Sequence, residues 1–206
     1  MPRRVASNGV TTHPLIRSAT PTDVDAAAET LGQAFADYPF TRHTVDSRDH
    51  RNRVRSLQRL FLSEVGLRCG TVWVSDDHAA VAVWITPSST GLDKAFGDIA
   101  SRVVDLYGDR ADIAAQADEV TACLRPAEPV WHLATVGVAP HSQGLGLGRA
   151  VLEPGLAAAR SEGRPAYLET SSPANVTFYE RLGFEVTGKV SLPDGGPDVW
   201  AMVRLP

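Results

Sequence analysis

The chain has 206 residues, is 43% hydrophobic and 21% charged, and carries a formal net charge of -4, which suits one domain with a modest extra lobe. The acidic balance argues against nucleic acid as the main partner, no apolar run reaches the length of a membrane span, and the N-terminal MPRRVASNGVTTH lacks the apolar stretch of a signal peptide. A cytoplasmic protein is expected. Cys69 and Cys123 lie far apart, and the six histidines show no HExxH-like spacing, so neither a disulfide nor a bound metal is expected.

Residues 1–13 read as a flexible tail. PLIRSAT is a short strand. Thr20 then caps a helix, with Pro21 at its first position and Asp23 three residues after the cap. Val24, Ala28, Leu31 and Phe35 recur at helical spacing, and Pro39 ends the run by disfavouring helical geometry at Tyr38. Ser47 opens a second helix with Val54, Leu57, Phe61 and Val65 on one face, closed by Gly66 and Gly70. Its five arginines between Arg48 and Arg59 read as a solvated face. TVWVSDDHAAVAVWIT is a hairpin turning at Ser75–His78. Residues 91–124 hold two helices, striped by Leu92, Phe96, Ile99 and Val103 and then by Ile113, Val120 and Leu124; they form either a lid or a packed pair. After the linker RPAEP comes a long strand, VWHLATVGV, then a glycine loop and a helix reaching about Glu162. Pro154 inside that helix marks a kink. PAYLET is a strand, Ser172-Pro173 to Gly183 a helix, and FEVTGKV and DVWAMVRL are the last two strands. The order gives a mixed α/β domain on one sheet.

The stretch VGVAPHSQGLGLGRAVL puts Gly144, Gly146 and Gly148 between a strand and a helix. It is neither a P-loop nor the GxGxxG dinucleotide pattern. Successive backbone N–H groups leading into a helix N-terminus form a positively polarised nest, and glycines let a phosphate approach it. The alternative is a tight turn with no ligand.

Gln143-Gly144-Leu145-Gly146-Leu147-Gly148 resembles the [Gln/Arg]-x-x-Gly-x-[Gly/Ala] signature of the GNAT superfamily of acetyltransferases. NVTFYERLGF, residues 175–184, resembles its second hallmark segment. AFADYPFTRHTVD, LFLSEVGL, VWVSDDHAAVAVWITP, LATVGVAP and YLETSSP are further similar to the puromycin-acetylating branch of that superfamily, from about Arg17 to the end. The departures at Phe40, at His132 and through much of residues 88–124 bear on the acceptor rather than on acetyl transfer.

The resemblance implies the GNAT fold over residues 14–206: a single mixed, mostly antiparallel sheet with a splayed central strand pair, flanking helices and a helical insert at about 88–127. It implies acetyl-CoA as donor, no metal, and direct attack in a ternary complex by a primary amine of a small molecule, puromycin or a related aminonucleoside. A peptide or protein N-terminal amine, or a non-catalytic CoA-binding module, are the alternatives. No nucleic-acid or membrane partner is implied, and the chain is expected to be a monomer or homodimer. The diphosphate would rest on Gln143, Gly144, Leu145, Gly146, Leu147, Gly148 and Arg149. The pantetheine arm would run along Val136, Gly137 and Val138, with Asn175 beside it and a backbone N–H near Val136 polarising the thioester carbonyl. Tyr179 would protonate the leaving thiolate, unless it is simply a packed aromatic. Glu169 would act as the base through water, unless it is a solvated strand-end charge; His43 and His132 are weaker candidates. Tyr38, Phe40 and Trp84 would line an aromatic acceptor pocket, with Trp73 and Trp131 in the core.

Overall fold

The computed structural model describes residues 14–206, so the tail expected over residues 1–13 lies outside the described residues. Its strands are β1 (Ile16–Ser18), β2 (Thr71–Ser75), β3 (Ala80–Ile85), β4 (Trp131–Val138), β5 (Ala166–Thr170), β6 (Glu185–Ser191) and β7 (Asp198–Arg204). They form one sheet in the order β1-β2-β3-β4-β5-β7-β6, in which only β4 and β5 run parallel. That pair meets at Trp131–Ala166 and His132–Tyr167 and then splays, so most of β4 has no ladder partner on its β5 side.

One face of the sheet carries α1 (Val24–Phe35), against which α3 (His50–Phe61) packs; the other carries α7 (Leu147–Ser161). Thr20 opens the first helical segment as the sequence predicts, its backbone N–H donating to Asp23 Oδ2 at 2.7 Å. Pro39 has the expected effect on Tyr38, which is extended (φ -71°, ψ 135°), but a short helix follows it directly, α2 (Pro39–Thr44), which the sequence reading missed. The next helix starts at His50, not Ser47. Asp46 accepts the Arg48 N–H at 2.8 Å and holds a turn there, and Asp49 is left-handed at φ 54°. Four of the five arginines pair with acids on this face, which fits a solvated helix surface. Beyond Phe61 the chain passes through a π-turn, Leu62–Gly66, and a last helical turn, α4 (Leu67–Cys69).

The insert holds α5 (Leu92–Tyr107) and α6 (Ala111–Ala122), and both are packed. Ala95 and Ile99 of α5 bury against Leu60 and Val65, whereas Phe96 remains 46% exposed. The fully buried positions of α6 are Ala114, Ala117 and Thr121; Ile113 and Val120 are only partly buried, while Leu124, just past the helix, packs on the same cluster as Ala117. Small side chains let this helix lie close, Ala117 meeting Leu192 and Val199. Helix α7 continues through Pro154, and Gly155 beside it lies flat on the Trp84 indole. Helix α8 (Pro173–Glu180) returns from β5 and is followed by Gly183 at φ 84°.

Candidate active site

The splay between β4 and β5 exposes a particular set of backbone donors. Trp131 donates its N–H to Pro165 on the β5 side (2.9 Å), and Ala139 donates to Ala79 on the β3 side (2.8 Å). Residues an even number apart in a regular strand aim their N–H groups the same way. The reversal comes from one extra residue: β3 steps from Trp84 to Val83 while β4 steps from Leu133 to Thr135, leaving Ala134 as a bulge. Past it, the N–H groups of Val136 and Val138 face the opening.

The glycine loop continues this line of donors. Gly144 and Gly146 are left-handed (φ 78° and 83°), a conformation that other residues adopt only under strain. The first bond of α7 runs from Ala150 N–H to Gly146 O at 3.1 Å; among the described residues the N–H groups of 144–149 reach no backbone carbonyl. Gly148 is already helical, and a Cβ there would meet the Phe178 ring at 3.4 Å. Gln143 donates from Nε2 to Val138 O at 3.1 Å, tying the loop to the end of β4. A loop so free of side chains beside a helix N-terminus suits a diphosphate.

Loop and opening border a cavity of about 720 Å³. Val136, Gly137, Val138, Arg149 and Asn175 line it, as does Tyr179, while the Leu145 side chain is 55% exposed and does not. Tyr179 is both packed and on the cavity wall, 5% exposed and edge-on to Phe178 and Phe184, with centroids 5.2 and 5.7 Å away. Burial pushes its phenol above the usual range, and nearby Tyr38 adds to that shift.

Glu169 lies on the same cavity, partly buried. Desolvation pushes its carboxyl above the ordinary carboxylate range, against the opposing pull of the Tyr167 hydroxyl, which donates to Oε1 at 2.6 Å, and of Arg125 Nε at 3.8 Å. Tyr167 sits two residues before Glu169, on the same face of β5, and the β4 residue opposite it is His132, also on the cavity. Burial, helped by Arg125, lowers the His132 imidazole to about 4, so it is neutral at pH 7. His43 is elsewhere: its Nδ1 faces Arg110 at 3.3 Å and its Nε2 is buried without a partner among the described residues. Sequence reasoning missed Arg125, which also pairs with Asp118 at 2.6 Å, because its site lies in the linker read as RPAEP. The Tyr167–Glu169 pair could have been found from strand periodicity.

Of the three aromatic residues expected around the acceptor, Tyr38 and Phe40 line the cavity. The Tyr38 hydroxyl lies 2.9 Å from Thr170 Oγ1 and accepts the Ser171 N–H at 2.6 Å, and Phe40 N–H donates to Ser171 Oγ, so α2 is strapped to the end of β5. Trp84 is a correction. It is 0% exposed, on the α7 side of the sheet with Trp131, and Gly155 fills the space in front of it. Trp73 and Trp131 stack with centroids 6.4 Å apart in that same core region. No group of His, Cys, Asp or Glu suited to a metal ion, and no helix long and apolar enough to cross a membrane, occurs among the described residues.

The comparisons with known proteins agree with this architecture. Residues 109–186, which contain the bulged strand, the glycine loop and Tyr179, match the family model for the acetyltransferase (GNAT) domain. An uncharacterised N-acetyltransferase of Schizosaccharomyces pombe is 27% identical over 184 residues, 79% of this chain and 70% of that protein. A crystal structure described as histone acetyltransferase HPA2 and related acetyltransferase from Corynebacterium glutamicum superposes with a TM-score of 0.74 at 28% identity, covering 95% of this chain and 97% of that one. The ribosomal-protein-S18-alanine N-acetyltransferase of Escherichia coli shares the fold, with a TM-score of 0.53 at 22% identity over 93% of this chain and 92% of that one. The family uses acetyl-CoA as donor. Residues 109–186 thus carry a GNAT acetyltransferase domain, and the chain is an acetyltransferase enzyme.

Proposed function

We propose that this enzyme transfers the acetyl group of acetyl-CoA to a primary amine of a small molecule, with puromycin or a related aminonucleoside as the acceptor, acting in the cytoplasm as a monomer or homodimer. The observation that carries the reading is the two sets of backbone donors, Gly144–Arg149 in the loop and Val136 and Val138 at the open edge of β4, for which the described residues supply no backbone partner. The loop would hold the diphosphate, the open edge of β4 and Asn175 the pantetheine arm, and Val136 N–H the thioester oxygen as negative charge develops on it. Tyr38 and Phe40 on the cavity lining suit an aromatic amine. The similarity of five separate segments to the puromycin-acetylating branch supports that acceptor.

The amine must be neutral to attack. An α-amino group, with a reference pKa of about 7.7–8.0, reaches that state far more easily than lysine at about 10.4. As the N–C bond forms and the C–S bond breaks, the amine's proton passes through water to Glu169, whose second oxygen is left free by the Tyr167 bond to Oε1. The departing thiolate takes the Tyr179 proton, which burial keeps on the phenol at neutral pH. The test is free-thiol release by the purified protein with acetyl-CoA and puromycin, beside other amine antibiotics and peptides. Turnover with puromycin is expected. Silence with puromycin but turnover of another amine would replace the acceptor, and failure of coenzyme A to raise the melting temperature would overturn the donor site.

A further inference from the structure

The cavity lining includes residues beyond those assigned to the donor and the attacking nitrogen. Its charged lining, Asp118, Arg125, Arg149 and Glu169, belongs to α6, the linker after it, the first turn of α7 and β5. One apolar arm of the lining comes from α3, the π-turn and α5: Val54, Leu57, Phe61, Val65, Phe96 and Tyr107. Burial, with the Asp118 carboxylate nearby, raises the Tyr107 phenol above its usual range, and the other five side chains of this arm are apolar. Its inner end meets β4 at Thr135, whose Oγ1 is buried with no hydrogen-bond partner among the described residues. Its outer end is Phe96, still 46% exposed beside Phe61 (centroids 6.2 Å apart). The wall between the two is the π-turn Leu62–Gly66, an irregularity found most often at functional sites. Apolar side chains that face a void forfeit dispersion contacts, which a ligand would restore.

Resting on the acetyl-transfer reading, we infer that the acceptor is an amine bearing an extended apolar arm, alkyl or aryl, which lies in this channel while its nitrogen sits at Glu169. The arm is assigned to the acceptor rather than to a longer acyl donor because the channel's exposed lining residue, Phe96, stands on α5, an element separate from the glycine loop.

The test is KM for primary alkylamines from propylamine to octylamine, with acetyl-CoA fixed, alongside the thermal shift that each amine gives without donor. KM should fall about fourfold per added methylene, the equivalent of ~0.8 kcal/mol, until the channel is filled. Gln58, partly exposed on α3 where it lines the channel, provides the block: Gln58→Trp should raise the octylamine KM to that of propylamine. Phe96→Ala, at the mouth, should weaken only the longest amines, and it serves if the first variant does not fold. A KM independent of chain length, or length dependence untouched in both variants, overturns the inference. So does sustained use of octanoyl-CoA with a short amine that Gln58→Trp abolishes, which would make the channel an acyl site. If no amine is acetylated at all, the acetyl-transfer reading fails, and the thermal shift with chain length still decides the channel.

Discussion

Tyr179→Phe removes one oxygen from a ring that the core already holds. The ring is 5% exposed and wedged between Phe178 and Phe184, and phenylalanine fills the same shape. Burial, with Tyr38 nearby, raises the phenol above its usual range, and the cavity side of the ring has no core packing to lose. The folding cost should stay below about 1 kcal/mol, which in a chain of this size is a melting shift within roughly 4 °C. The chemical cost is of another order. Loss of a positioned proton donor slows a reaction by about 10²–10⁴-fold, or roughly 2.7–5.4 kcal/mol of barrier. The expected result is kcat reduced by that factor, with the acetyl-CoA dissociation constant by calorimetry within about threefold and the melting curve nearly superimposable. An unchanged kcat would refute the assignment and leave Tyr179 as packing. An equal loss in donor affinity would refute it differently, by making the hydroxyl a binding group.

Glu169→Gln should lower kcat/KM by about 10²-fold or more and remove the acidic limb of its pH profile, because the base works only when ionised and its carboxyl is raised above the ordinary range. Arg125 favours the ionised form, so Arg125→Gln should move that limb to higher pH; a limb that stays in place, or persists in Glu169→Gln, would assign it to another group. Gly155→Ala should cost about 1–3 kcal/mol by overpacking, since its Cβ would lie 2.4 Å from Trp84 Cε2 and that indole is fully buried. A melting temperature equal to wild type would show that α7 shifts freely on the sheet.

What sequence could reveal depended on whether the signal was local. The left-handed Gly144 and Gly146, the Thr20–Asp23 cap and the Pro39 break are decided within a few residues, and each was legible. Trp84 was misassigned because all but the last residue of β3 is buried, so alternation could not tell which neighbour faces the substrate; the choice is made by Gly155, seventy residues away in sequence. The stripe on α6 was misread for a related reason. Size-ranked periodicity favours Ile113 and Val120, but a helix that must lie close to β7 buries its alanines.

The bulge at Ala134 ties these lessons to the chemistry. LATVGV reads as unbroken strand, and nothing in it announces an extra residue. Yet that residue reverses the sense of every donor after it. Without it Thr135 and Gly137 would aim their N–H groups at the opening, and Val136 would donate to β3. With it, Val136 and Val138 face the gap left by β5, in line with the free donors of the glycine loop. The loop alone explains how an anion could be held. The bulge explains why a thioester held there would find a backbone donor and not only side chains, and its register depends on β3 and β5, partners that no local pattern names.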